Sequence, residues 1–180
     1  AALLLHGCSP PTVIRTTPVA TASPSNAKSV LAEPAANEVV IVINNNAVAG
    51  NHAGIFAGAR LNDPAGSYLG TRSQDSNWSG PSLADYVEFQ KEDGERIQIY
   101  RFKLAPGDFA AIDNRMASAG ITPPLFCAVQ VHNLVAGLGP FGSLEKVGWT
   151  TPASLARQLD KLIDGQAAPG ECVMPDNQAC

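Results

Sequence analysis

Cys127 follows Thr122-Pro123-Pro124-Leu125-Phe126 and heads the apolar segment Cys127-Ala128-Val129-Gln130-Val131-His132-Asn133-Leu134-Val135-Ala136. Proline is tolerated in a first helical turn, so Thr122 or Pro123 can open a helix that stops at Gly137. A cysteine in that first turn meets main-chain N–H groups without intrahelical partners and the positive end of the helix dipole. Together these can draw a thiol pKa from about 8.5 down to about 3.5–7.5, and the same amides can receive an oxyanion. The position suits a nucleophile. It also suits a small buried hydrophobe, the commoner fate of helix cysteines.

A thiol nucleophile needs a base, and His52 opens His52-Ala53-Gly54-Ile55-Phe56-Ala57-Gly58, which reads as a strand. Period-two alternation puts His52, Gly54 and Phe56 on one side, with the glycine leaving open space beside the imidazole. Eleven residues on, Asp63 stands in Asn62-Asp63-Pro64-Ala65-Gly66. These five residues are what a turn requires in any case, and a histidine at a strand start is often only a hydrogen-bonded surface residue. Residue types alone leave both roles open.

The run Asn51-His52-Ala53-Gly54-Ile55-Phe56-Ala57-Gly58, an acidic residue eleven places after the histidine and a helix-starting cysteine seventy-five places after it resemble the circularly permuted papain-like cysteine hydrolases. That group is related to lecithin retinol acyltransferase-type proteins and, unpermuted, to the NlpC-type cell-wall peptidases. The similarity covers about Val39 to Leu138 and implies Cys127 as nucleophile, His52 as base and Asp63 as the group that orients the imidazole. Phe126 departs from relatives with a polar residue directly before the cysteine. The implied chemistry is attack of a Cys127 thiolate on an acyl carbon, protonation of the leaving group by His52 and release of the acyl enzyme to water or another acceptor.

The remaining cysteines bear on compartment. Leu3-Leu4-Leu5-His6-Gly7-Cys8 resembles the end of a bacterial lipoprotein signal peptide, with cleavage before Cys8 and lipidation of its thiol. His6 replaces the usual small residue. The expected location is the bacterial cell envelope, anchored by lipid on the periplasmic side, with the outer membrane as the expected membrane. Export makes a Cys172–Cys180 disulfide the expectation in the polar C-terminal segment and leaves Cys127 as the unpaired thiol.

Around these residues the chain divides into a signal remnant and lipobox (1–8), a Pro/Ser/Thr/Ala-rich tether expected to be disordered (9–36), one domain (37–165) and a C-terminal tail (166–180). Within the domain, Val39 to Ile43 reads as a buried strand, His52 to Gly58 and Ala59 to Asn62 as two short ones, and Arg96 to Leu104 as a fourth. Ser82 to Lys91 is weakly helical, and helices are expected over 106–119, from Thr122 or Pro123 to Ala136, and from Thr151 to Gly165. The middle one of these three is apolar on most of its circumference and should be central and buried. Strands and helices segregate, so the expected fold is α+β, an antiparallel sheet packed against a central buried helix. The resemblance makes that fold permuted papain-like.

Composition sets the outer limits. The chain has 180 residues and a formal net charge of −4, with no Lys/Arg cluster, which speaks against a nucleic-acid partner. No unbroken apolar run exceeds five residues, too short to span a bilayer. His6, His52 and His132 lack ligand spacing, so no metal is expected, and no cofactor. His132 reads as a packed helix residue, Gly137 to Gly142 as a loop that could line the site, and Tyr68 and Trp78 as anchors of an ordinary solvent loop from Gly66 to Pro81, with a substrate-facing loop as the alternative. The expected function is an exported, lipid-anchored cysteine hydrolase acting on an amide or ester acyl bond. Peptidoglycan peptides are the leading substrate class, and lipid esters or thioesters come second. An acyltransferase acting on lipid and a non-catalytic envelope lipoprotein with a binding or structural role are the alternatives.

Overall fold

The β-branched run from Val39 to Ile43 lies in the central strand of the sheet. The computed structural model describes residues 31–164 and 170–173, the last four as main chain. Strand β1 (Glu38–Asn44) pairs on one side with β2 (His52–Ala57) and on the other with β4 (Ile97–Lys103). Outside these lie the edge strands β3 (Arg60–Asn62) and β5 (Gly170–Val173), giving the order β3-β2-β1-β4-β5 with every neighbour antiparallel. Gly58, at φ 53°, takes the first position of the two-residue turn between β2 and β3, where the tightest hairpins need a left-handed residue.

Both faces of this sheet are covered, which is why β1 is apolar at successive positions rather than alternate ones. Val39, Ile41, Ile43, Ala53, Ile55, Tyr100 and Phe102 face one core, shared with α3 (Pro106–Ala117), α4 (Cys127–Val135) and α5 (Pro152–Asp164). Val40, Val42, Phe56, Ile97 and Ile99 face a second, closed by α1 (Ser67–Arg72) and α2 (Leu83–Gln90). The protein is an α+β domain with an antiparallel sheet packed against helices, and α4 buries seven of its nine residues.

Several boundaries differ from the sequence expectation. Helix α4 starts at Cys127 itself, not at Thr122 or Pro123. Thr122 and Pro123 each precede a proline, and such residues avoid the helical region; after them the Phe126 N–H closes a turn onto Pro123 O and Leu125 adopts φ 74°. Helix α1 falls in the segment expected to be a loop, where Gly66 and Gly70 mask any helical period. The tail contributes a strand, since Gly170–Val173 pairs with Ile99–Phe102. The expected Cys172–Cys180 disulfide is overturned. No disulfide is formed among the described residues, where Cys127 is a free thiol; Cys172 is instead held by main-chain pairing opposite Tyr100, and Cys180 lies outside the described residues.

The end of the expected tether is bound to the domain. Arg101 makes a two-pronged contact with Glu38 (Nε–Oε1 3.2 Å, Nη2–Oε2 2.9 Å), and its guanidinium also donates to the carbonyls of Ala32 and Glu33. Glu33 accepts from the N–H groups of Leu83 and Ala84 at the start of α2, a favourable place for a carboxylate. The lipobox and Cys8 lie outside the described residues.

Candidate active site

Strand β3 is short, and the site depends on that. Its pairing with β2 covers only Ile55 to Ala57, so the outer edge of β2 is open at His52, Ala53 and Gly54. The N-terminus of α4 comes up to this gap from the other face of the sheet. There the Ala53 N–H, together with that of Ala128, donates to the Cys127 sulfur. Residues of opposite sheet faces thereby meet at an edge.

Just past the end of β3, the chain turns at Asp63. Its main-chain oxygen accepts from Gly66 N–H at 2.9 Å, with Gly66 at φ 71°. Its carboxylate is engaged at both oxygens, Oδ1 with His52 Nε2 at 2.7 Å and Oδ2 with the Tyr68 N–H at 3.0 Å. The turn reading and the ring-orienting geometry are therefore compatible, since one uses the main chain and the other the side chain. Asp63 takes up Nε2 of the imidazole, and the ring also hydrogen-bonds Cys127.

The electrostatics follow from burial and these partners. Burial alone would lower the His52 pKa, but its hydrogen bonds to Asp63 and Cys127, and the charges of both, outweigh that and carry it from 6.5 to about 9. Burial pushes the Cys127 thiol up, and the hydrogen bond and charge of His52, with the two main-chain N–H groups, pull it below its ordinary value. Both directions move the pair toward thiolate and imidazolium. Access is narrow, with Cys127 7% and His52 9% exposed.

The rim of the site is apolar. Residues 119–127 carry no charged side chain, and Ile121, Leu125, Phe126 and Trp149 are exposed, Leu125 by 74% and Trp149 by 57%. Phe126 and Trp149 meet edge to face with centroids 5.6 Å apart. The loop before Cys127 is fastened to the Asp63 turn, since Thr122 donates to Pro64 O from both N (2.8 Å) and Oγ1 (3.2 Å). On the other side, the segment leading to Trp149 hangs from α4. Asn133 exchanges hydrogen bonds with Val147 and His132 Nε2 donates to Glu145 O at 2.8 Å.

The structure thus brings Cys127, His52 and Asp63 together. Two other sequence expectations change. The space beside His52 at Gly54 is not open, because the Tyr86 hydroxyl fills it. The glycine-rich segment after α4 does not line the site, since Phe141 packs on Phe102 with centroids 4.6 Å apart. Tyr68 and Trp78 meet edge to face, Tyr68 being fully buried. Sequence reasoning missed Tyr86 and Trp149, which lie in segments with no motif. Among the described residues no group of three or more His, Cys, Asp or Glu could hold a metal ion, and no helix is long and apolar enough to cross a membrane. A surface concavity lined by Asn114, Arg115, Gln130 and Lys146, among others, contains none of the three residues.

No family model matches the chain, and no curated protein and no solved structure is significantly similar to it.

Proposed function

We propose that the protein is a cysteine-nucleophile acyl hydrolase of permuted papain-like type, with Cys127 as nucleophile, His52 as acid and base and Asp63 as the group that holds the imidazole. The observation that carries this reading is one buried histidine that engages both other residues, Asp63 through Nε2 and Oδ1 at 2.7 Å and Cys127 by a further hydrogen bond. A ring held at Nε2 by a carboxylate leaves Nδ1 for the sulfur, which supports this reading.

The reaction then runs in two halves. Cys127 Sγ bonds to the acyl carbon while the bond to the leaving oxygen, sulfur or nitrogen breaks and His52 gives its Nδ1 proton to the departing group. Neutral His52 next takes a proton from water, the hydroxide adds to the thioester carbon, and the carboxylic acid leaves as Cys127 recovers its thiolate. An alcohol or amine in place of water makes the same site an acyltransferase.

The rim bears on substrate class. Charged peptidoglycan stems would find no cation among residues 119–127, whereas Ile121, Leu125, Phe126 and Trp149 offer an apolar surface at the thiol. This favours an ester, thioester or amide of an apolar acyl group over a cell-wall peptide. Placement at the bacterial envelope through Cys8 belongs to the same proposal, and mass spectrometry of the membrane fraction tests it, since an unlipidated Cys8 would remove the anchor.

The direct test of the activity is hydrolysis of p-nitrophenyl acyl esters by the wild-type chain and by Cys127→Ala. Loss of turnover with Cys127→Ala is the expected result. Equal rates would refute the assignment.

A further inference from the structure

The chemistry outlined above makes no use of Tyr86. Its side chain, on α2, is fully buried, and its hydroxyl has no hydrogen-bond partner among the described residues. The ring has no freedom to swing that hydroxyl elsewhere. It stands edge to face with Phe56 (5.6 Å, 73°) and Tyr68 (5.1 Å, 89°), and its oxygen lies against Gly54, where an added Cβ would overlap it and come within 2.8 Å of Cζ.

Gly54 lies between His52 and the strand interior, next to Ala53, whose N–H donates to Cys127. The hydroxyl is therefore placed beside the triad by a glycine that makes room for it.

A buried hydroxyl without a partner is destabilising, so phenylalanine would serve the fold better. The oxygen is there at a cost to stability, which points to the site. Burial, then the negative charges of Asp63 and Cys127, hold the Tyr86 pKa well above 10, and the group stays a protonated donor throughout the working range. The titratable groups facing it are Asp63 after β3, Cys127 on α4 and Tyr68 on α1, with His52 two residues from Gly54 on β2. Asp85, on its own helix, is occupied by Tyr68 Oη at 2.9 Å and Arg72 Nε at 3.0 Å.

We propose that Tyr86 is a positioning residue for the nucleophile: its hydroxyl hydrogen serves the negative charge on the Cys127–Asp63 side of the site and stabilises the thiolate–imidazolium pair over the neutral thiol and imidazole. No bond to substrate is involved. The inference rests on the reading of Cys127 as nucleophile, and the experiment separates the two.

The measurement is the rate of iodoacetamide alkylation of Cys127 against pH in the full chain, for wild type and Tyr86→Phe, with thermal unfolding alongside. Removing a buried hydroxyl that favours the charged pair raises the thiol's pKa, so the midpoint should move upward by about one pH unit, while the protein unfolds no more easily than wild type. A merely structural role would change the unfolding and leave the midpoint alone. A depressed wild-type midpoint that Tyr86→Phe does not move overturns this inference only, whereas a wild-type midpoint at the ordinary thiol value overturns the nucleophile itself. Should Tyr86→Phe fail to fold, 3,5-difluorotyrosine introduced at position 86, a stronger donor of nearly the same shape, must move the midpoint downward. An unchanged profile there also overturns the proposal.

Discussion

His52 Nε2 and Asp63 Oδ1 lie 2.7 Å apart, joining the first residue of β2 to the turn that follows β3. Because that carboxylate is also tied to the Tyr68 N–H, the ring that hydrogen-bonds Cys127 is held from behind. The pairing has a consequence for pH. His52 is raised to about 9 and Cys127 is lowered. Hydrolysis should rise with pH as the thiolate forms, below the ordinary thiol range, and fall as pH passes about 9 and the imidazolium loses its proton. A pH–rate profile of ester hydrolysis checks both limbs. A profile that is still rising through pH 9 would contradict the role of His52 as proton donor.

Replacing His52 by Gln removes the largest of the effects that lower the Cys127 pKa. Thiol reactivity toward iodoacetamide at pH 6 should fall by about tenfold or more, because only the thiolate reacts. The two main-chain N–H groups remain, so part of the depression should survive. Retention of the full wild-type rate at pH 6 would mean that the helix terminus alone activates the thiol.

Asp63→Asn keeps the size of the side chain and removes its charge. The first effect should appear at His52, whose pKa drops toward the ordinary value, moving the alkaline limb of the profile down from about 9. Turnover should fall by about 10²-fold, with the fold intact because the turn at Gly66 uses the main chain. The imidazole resonances of His52 in a pH titration report the shift directly.

Much of this arrangement is legible in the residues, and what is not has physical causes. Val39 to Ile43 announces β1 because a strand covered on both faces needs no polar alternation. Cys127 and His52 can be named because Cys and His are rare here, with four and three in the chain, and Asp63 because the order of the three along the chain resembles a known group. The start of α4 is misread because proline is permissive at a helix start, while the left-handed Leu125 that delays it leaves no trace in composition. Helix α1 is hidden by Gly66 and Gly70. Tyr86 is invisible for a deeper reason, since its place against Gly54 is a contact between α2 and β2 that only tertiary packing creates. Cys172 misleads because spacing and compartment suggest a loop closure where strand pairing decides.

At the far end of α4, Arg115 of α3 donates through Nη1 to the carbonyls of Leu134 (2.9 Å) and Ala136 (3.0 Å) and, at 3.5 Å, to that of Asn133. These are carbonyls that a helix leaves without intrahelical donors. Arg115→Ala should cost about 1–3 kcal/mol of stability in denaturant unfolding. Hydrolysis per folded molecule should stay as in wild type, because the loss lies at the end of the helix opposite Cys127. A large loss of turnover without loss of stability would show that the C-terminal end of α4 is coupled to the thiol.

Trp149 tests the substrate class. Its indole is 57% exposed and meets Phe126 at 5.6 Å, one residue before Cys127, so a bound acyl chain would cover surface now in water. Covering an aromatic side chain contributes about 1.5–3 kcal/mol, roughly tenfold or more in kcat/KM at RT ≈ 0.6 kcal/mol. Wild type should hydrolyse p-nitrophenyl octanoate in preference to the acetate, and Trp149→Ser should erase most of that preference by raising KM for the longer ester. The alkylation midpoint of Cys127 should not move, since Trp149 is no partner of the thiol or of His52. If chain-length preference is absent in wild type, or survives Trp149→Ser unchanged, the apolar rim does not select the acyl group. The cell-wall peptide then returns as the leading substrate.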